Sequence, residues 1–459
     1  MYTYTIPVDR NEKNLPFILA KLFYKFFLIT KFYKMKSLTN LSLTKWLLPV
    51  SFILFAIISC KKETSEANQE PANSSAINSS NSAAKEESKK IYVSDISQLY
   101  AAINDADNAG TTIVLAAGTY RLSPDYPNRG RLELLENMQL QGQPGHPELV
   151  IIDASVLPGT SFVPANNFPA PRTGAVRMGR GKNSIEWLTV KGNASMQAFS
   201  VIDTDLIWTG MSQVKVAHCV VSGGRNGIDV RNVGVASIAR VLEAELSNNE
   251  VFENFVQQGV GILIQNANGA SGAIIRASLS GNYVHGNKIA IRSFNIAGGT
   301  NTINSASVVI ASNADRFEEN GLGIALVPGI SEGPTATANG NFVDFEAHGT
   351  TIKHSIGAIP PETFNPSCGI VVMGGFKFST GEASNNLVTM KLWGCTISDN
   401  QGAADIYAYG AYSEIANPAG INNRVQIQLK GVSRNATDIV IAGLPVEPAG
   451  TNVVNIVRN

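Results

Sequence analysis

Arg231, Gln265 and Arg292 sit at equivalent places in a repeating pattern, each outward on a short strand. Asp229, Leu263 and Ala290 precede them by one alternation, and the loops that follow are rich in Gly, Asn, Ala and Ser. Arg177, in Val176-Arg177-Met178, extends this row one or two repeats earlier. Asp203 and Asp205 lie close to the same edge in a D-x-D arrangement. A guanidinium grips a carboxylate through two parallel hydrogen bonds, and aspartates hold calcium through hard oxygen ligands. The row therefore reads as a binding line for uronate sugars: Arg177 and Gln265 as binding groups, Asp203, Asp205 and Asp229 around a calcium ion. β-Elimination of a polyuronate needs the sugar carboxylate neutralised and a base near the C5 proton. The competing account is a set of ion pairs on a solvated sheet, each worth little.

Other constellations carry less. Hydrolysis of a glycosidic bond needs two carboxyl groups about 5–10 Å apart, one of them protonated. Asp203/Asp205 and Glu243/Glu245 have suitable spacing, but acidic pairs at i, i+2 are common on solvated strands. His146, His218, His285, His348 and His354 are scattered, and His218 and His285 occupy different positions of the repeat, so no zinc site or triad follows. Gly179-Arg180-Gly181-Lys182 lacks phosphate-loop spacing and reads as a turn.

The elements that position these groups are written in asparagine and aliphatic columns. Asn254, Asn287 and Asn320 follow one another at 33 residues, as do Asn249 and Asn282. A template of aliphatic-x-x-(Asn or Cys)-x-aliphatic-x-x-(Asn or Gly) fits Val216 to Gly224, Leu246 to Asn254, Leu279 to Asn287 and Leu392 to Asn400. It fits Ile310 to Asn320 with two extra residues. A second strand follows in each unit, with Ile228/Val230, Ile262/Ile264, Ile289/Ile291 and Ile324/Leu326 expected to point inward. A third strand precedes the first, as in Val388 leading to Leu392. Three short strands per unit and a steady period predict a parallel β-solenoid. Stacked coils lie about 4.8 Å apart, so a turn asparagine can bond its neighbours above and below. Cys219 and Cys395 take the asparagine position and are expected to be reduced core residues.

Near the start of this region, Ser94 or Asp95 can cap a short helix with Ile96, Leu99, Ile103 and Ala106 on its apolar face, and Thr111–Leu115 reads as a strand. A helix followed by such a strand resembles the N-terminal cap of right-handed parallel β-helix proteins, the pectin-lyase-like fold. The resemblance covers roughly residues 91–459. It implies an all-β, single-stranded right-handed parallel β-helix with a helical cap, binding ligands along its loop-lined edge. Several lyases of that fold use arginine or lysine as the base, which makes Arg231 and Arg292 the catalytic candidates. The polygalacturonase signature and the pectate-lyase Arg-x-Pro-x-x-Arg are both absent. Outward aromatics near the arginines are few, with Tyr283 and Tyr407 assigned to other faces or coils.

Composition bounds the partners. The 459 residues hold 36 basic and 36 acidic side chains and only 16% charged residues, with no basic excess to attract nucleic acid. Lys45 precedes an apolar run, Trp46 to Ile58, too short to span a bilayer comfortably, and Ile57-Ile58-Ser59-Cys60 resembles a lipobox. Cys60 is thus the expected lipidation site. Removing residues 1–59, with eight basic and two acidic side chains, leaves 28 against 34, a net charge of −6. Residues 61–90 read as a flexible Ser/Asn-rich tether, and Lys61-Lys62-Glu63 is similar to surface-export signals of outer-membrane lipoproteins. The sequence thus leads to a lipid-anchored bacterial envelope protein that binds an extended polysaccharide. A uronate-specific lyase is the alternative and a passive structural or adhesive rod the third reading.

Overall fold

The computed structural model describes residues 89–459, apart from 158–173, 194–199, 205–209, 235–239, 256–258, 358–367, 403, 414–419, 437 and 442–450. Cys60, the apolar run before it and the tether lie outside the described residues. No helix among the described residues is long and apolar enough to cross a membrane.

Asp95 caps the helix Ile96–Asn104, its carboxylate accepting from the Gln98 amide at 2.8 Å. Leu99, Tyr100, Ala102 and Ile103 form the helix's buried face, while Ala106 begins a separate 3-10 turn. The strand Lys90–Val93 pairs with Thr112–Leu115 beside it. From there the chain winds through three sheets, every recorded pairing between successive coils being parallel. The first sheet has 12 strands and runs from Lys90–Val93 to Val453–Arg458. The second, also of 12, holds Asn226–Val233, Val260–Ala267 and Ile289–Gly298. The third has 10 short strands such as Glu250–Phe252. This is an all-β parallel solenoid.

Its core is built from columns. Ile202, Ile228, Ile262, Ile291, Ile324, Ile370 and Ile406 stack one per coil, none more than 2% exposed. Burying each such side chain stabilises the fold by about 1.5–3 kcal/mol. The neighbouring inward column runs Val230, Ile264, Ser293, Leu326, Val372, Ala408. Thus Ile291 and Ser293 face inward in their coil, not Ile289 and Ile291. A buried serine in an aliphatic column concealed the alternation.

The turn between the first and third sheets carries the asparagine ladder. Asn249 donates to Asn282 Oδ1 from its side chain at 2.9 Å and its backbone at 3.1 Å, and Asn282 does the same to Asp315 Oδ1 at 2.8 Å. Asp315, not Asn313, continues the ladder, so the 33-residue period is unbroken and Ser312 stands where Leu279 stood one coil earlier. Asn254, Asn287 and Asn320 form a second ladder at the next turn. Cys219 and Cys395 are free and buried, as is Cys368, and burial pushes the Cys219 thiol up to about 12.

Candidate functional site

Alternation along the second sheet turns every other residue outward, and the register decides which of them are neighbours. One outward column runs Glu133, Arg177, Asp203, Asp229, Leu263, Arg292, Ala325, Val371, Tyr407. The next runs Arg231, Gln265, Phe294, Val327. Arg292 therefore does not continue the Arg231–Gln265 row. Taking Ile289 and Ile291 for the inward pair, where Ile291 and Ser293 hold it, displaces the later strand by two residues and puts Arg292 in the wrong row.

At the N-terminal end of this face the charges are buried. Asp203 accepts from Arg177 at 2.8 Å (Nη2) and 3.1 Å (Nε), from Arg131 Nη2 at 2.9 and 3.2 Å, and from the Gly174 amide at 3.1 Å. Arg131 and Arg177 are 2% and 1% exposed. Burial alone would raise the Asp203 carboxyl, but the two guanidiniums outweigh it and hold the group well below the usual carboxylate range. Arg131 is lowered to about 10 by burial and by Arg177. Gly174 is required here, since a Cβ would lie 2.4 Å from the Asp203 carboxyl carbon.

Asp229 is equally occupied. It accepts from Arg231, from Gln265 at 3.3 Å, from Asn226 at 3.3 Å and from Ser200 at 3.1 Å, and it is 1% exposed.

These surroundings correct three of the sequence assignments. Asp203 and Asp229, read from the sequence as ion ligands, are each engaged by buried donors, and an ion at Asp203 would have to displace two guanidiniums. Among the described residues, no three His, Cys, Asp or Glu side chains converge as a metal site would. Arg177 and Gln265 are buried partners of Asp203 and Asp229. Asp205 lies outside the described residues. The account of these groups as solvated surface pairs also fails for the Arg131–Asp203–Arg177 cluster, which is interior.

Among Arg177, Arg231 and Arg292, the last two are not fully buried. The Arg231 side chain is 21% exposed and anchored on Asp229. Arg292 is half-buried, with its guanidinium 4.7 Å from the centre of the Phe294 ring. Burial, then Arg225, lowers Arg292 to about 10, against the opposing charge of Glu332. Beyond it the face turns apolar through Ala325, Val371 and Val327. Tyr283 belongs to the third sheet, but Tyr407 lies in the Arg292 column, three coils on.

Loops after these strands stack into a wall. The strands Thr302–Asn304 and Thr337–Asn339 pair as a small additional sheet over a satellite core of Ala270, Ala273, Ala297, Ile303, Ala306, Ala336 and Ala338. The stacking is tight enough that a Cβ on Gly333 would lie 2.0 Å from the Gly299 carbonyl oxygen.

The remaining candidates stay apart. Glu243 and Glu245 are on the first sheet, beside an open depression of about 690 Å³. Glu243 is engaged by Gln213 at 2.8 Å. His218 stacks on Trp187, His285 pairs with Glu250, and His146, His348 and His354 lie beside separate carboxylates.

The fold and this face together define a parallel β-solenoid with an arginine-bearing outer sheet beside a loop wall. No family model matches the chain, and no curated protein does. Among solved structures, the chain is similar to the A-module of the mannuronan C-5 epimerase AlgE4 of Azotobacter vinelandii, at 14% identity and a TM-score of 0.38, covering 78% of this chain and 95% of that one. It is similar to pectate lyase Pel9A at 11% identity and a TM-score of 0.36, covering 80% and 82%. It is also similar to PfbA, a surface adhesin of Streptococcus pneumoniae, at 9% identity and a TM-score of 0.25, covering 76% and 88%.

Proposed function

We propose that the protein binds an extended, uronate-bearing polysaccharide along the outer face of the second sheet, and that a lipid on Cys60 holds it to the bacterial outer membrane. The observation that carries the binding reading is the pair of partly buried arginines, Arg231 and Arg292, on one long face beside a stacked-loop wall. Carboxylates spaced along a glycan would meet them in turn, and the buried charges beneath keep Arg231 in place. Calcium is not needed for this reading.

A lyase is the second reading, and the lowered Arg292 guanidinium favours it over an Arg231 base. In that reaction neutral Arg292 takes the C5 proton, the C–H electron pair forms the C4–C5 double bond, and the C4–oxygen bond breaks with its electron pair going to the oxygen, which leaves as an alcohol on taking a proton from water. Arg231, paired with Asp229, is the weaker candidate for a proton acceptor. A base at about 10 makes the rate climb about tenfold per pH unit below that value.

The test mixes the purified protein with a panel of uronate polysaccharides, with and without calcium, and follows binding together with the ultraviolet absorbance of an unsaturated sugar. Binding without absorbance supports the binder. Absorbance lost in Arg292→Ala supports the lyase. Silence in both readouts leaves the structural rod.

A further inference from the structure

We propose that Tyr407 and Tyr409 form a stacking subsite for one pyranose ring of a polysaccharide whose carboxylate reaches Arg292; this rests on the polysaccharide reading above. In the strand Ile406–Tyr409, Ile406 and Ala408 face the core and are 0% exposed, which turns both tyrosines outward. Their ring centroids lie 6.4 Å apart and the ring planes are within 16° of parallel, so the two rings present faces of like orientation. Tyr412 stands at 75° to Tyr409, with centroids 6.1 Å apart, and forms an upright side. Phe376 stacks on Tyr412 at 5.3 Å and meets Phe378 edge-on at 4.2 Å, so that side is braced from behind. Beside the tyrosines along the axis, Val371 and Ala325 continue the face as an apolar strip.

The chemistry of this surface matches a sugar ring more closely than a peptide or a lipid chain. A pyranose has an apolar face of C–H groups and a polar rim of hydroxyls. The paired rings meet the first and the phenol groups meet the second. A partly buried tyrosine hydroxyl ordinarily finds a hydrogen-bond partner. Neither Tyr407 nor Tyr409 has one among the described residues. Burial, then the Cys368 sulfur, raises both phenols, so they remain protonated and able to donate.

Arg292 lies in the same column as Tyr407, with Ala325 and Val371 between them. Three coil steps of about 4.8 Å separate the two, about 14 Å along the axis. A short glycan laid along the column thus meets a cation at one end and an aromatic surface at the other.

The experiment compares the full protein with Tyr407→Ala, Tyr409→Ala, Tyr407→Phe and Arg292→Ala by affinity electrophoresis in gels containing alginate, polygalacturonate or a neutral glucan. Retardation by a uronate polymer, weakened about thirtyfold in each alanine variant and only severalfold in Tyr407→Phe, is the expected result. Titrating the wild-type protein with oligomers of the same polymer should shift the ring protons of Tyr407 and Tyr409, a readout that survives if the variants misfold. A wild type that binds while both tyrosine variants bind equally well, with unshifted ring signals, overturns the subsite and leaves the polysaccharide reading intact. A wild type that binds none of the polymers overturns both.

Discussion

Replacing Asp203 by Asn isolates the buried charge cluster that underlies the proposed site. The substitution keeps the side-chain shape but removes the negative charge that accepts from Arg131 and Arg177. Both guanidiniums are 2% exposed or less, and the remaining acid near Arg131, Glu133, stands 3.8 Å away. Breaking a buried ion pair by removing one partner costs about 3–5 kcal/mol, because the surviving charge stays desolvated. In a cooperative unit of 150–250 residues each kcal/mol lowers the midpoint by about 2–4 °C, so the loss should be about 6–20 °C. Thermal unfolding followed by circular dichroism measures it. Hydrogen exchange at Val176–Met178 and Ser200–Thr204 locates it, since solenoid coils can open as units.

The wild-type protein carries a matching pH signature. The folded Asp203 carboxyl lies well below its unfolded value, so its contribution is complete above about pH 4 and is lost as the pH falls further. Asp203→Asn should abolish that part of the acid dependence. A triple replacement, Arg131→Met with Arg177→Met and Asp203→Leu, should recover most of the stability by leaving no charge behind. If Asp203→Asn stays within about 0.5 kcal/mol of wild type, at the scale of an ordinary surface change, the cluster is hydrated and the reasoning fails.

Three further outcomes test the frame around the site. Asn282→Ala removes the acceptor for Asn249 and the donors to Leu246 and Asp315; it should cost about 3 kcal/mol or more in denaturant unfolding, as several buried groups lose partners together. Asp315→Asn should raise the thermal midpoint at neutral pH, because burial raises this carboxyl and penalises its charged form. That gain should disappear in acid, where the wild-type group is protonated, and a gain that persists there would contradict the cause given. Gly333→Ala should separate the stacked loops at a cost of about 1–3 kcal/mol and increase protease cleavage within 299–306, whereas an unchanged digestion pattern would show that the wall is loose.

Much of the architecture was legible because a solenoid repeats its own neighbours. Asn249, Asn282, Asn254, Asn287 and Asn320 share a period since each must bond the coil above, and that constraint acts along the sequence. Period-two alternation likewise exposed the isoleucine column, and Asp95 announced the helix by the need for a capping acceptor. Polar residues in regular places caused the errors: Ser293 in an inward column and Asp315 in the ladder satisfy the geometry but break the expected residue type.

The site was less legible for a different reason. Ser293 in the inward column made Ile289 and Ile291 look like the inward pair and so placed Arg292 in the Arg231 row, and only the backbone register between coils corrects such a slip. Arg131 carries no repeat signal of its own, yet it completes the Asp203 cluster because three coils bring it there. Whether Arg177 and Gln265 meet solvent or a buried carboxylate depends on what stands beside them along the axis. The sequence by itself determined the solenoid, its ladders and the face that carries the arginines, because those follow from spacing within one coil. Only the tertiary structure decided which charges are spent on each other, which remain exposed and that Tyr407 shares a column with Arg292, because those follow from contacts between coils whose lengths differ.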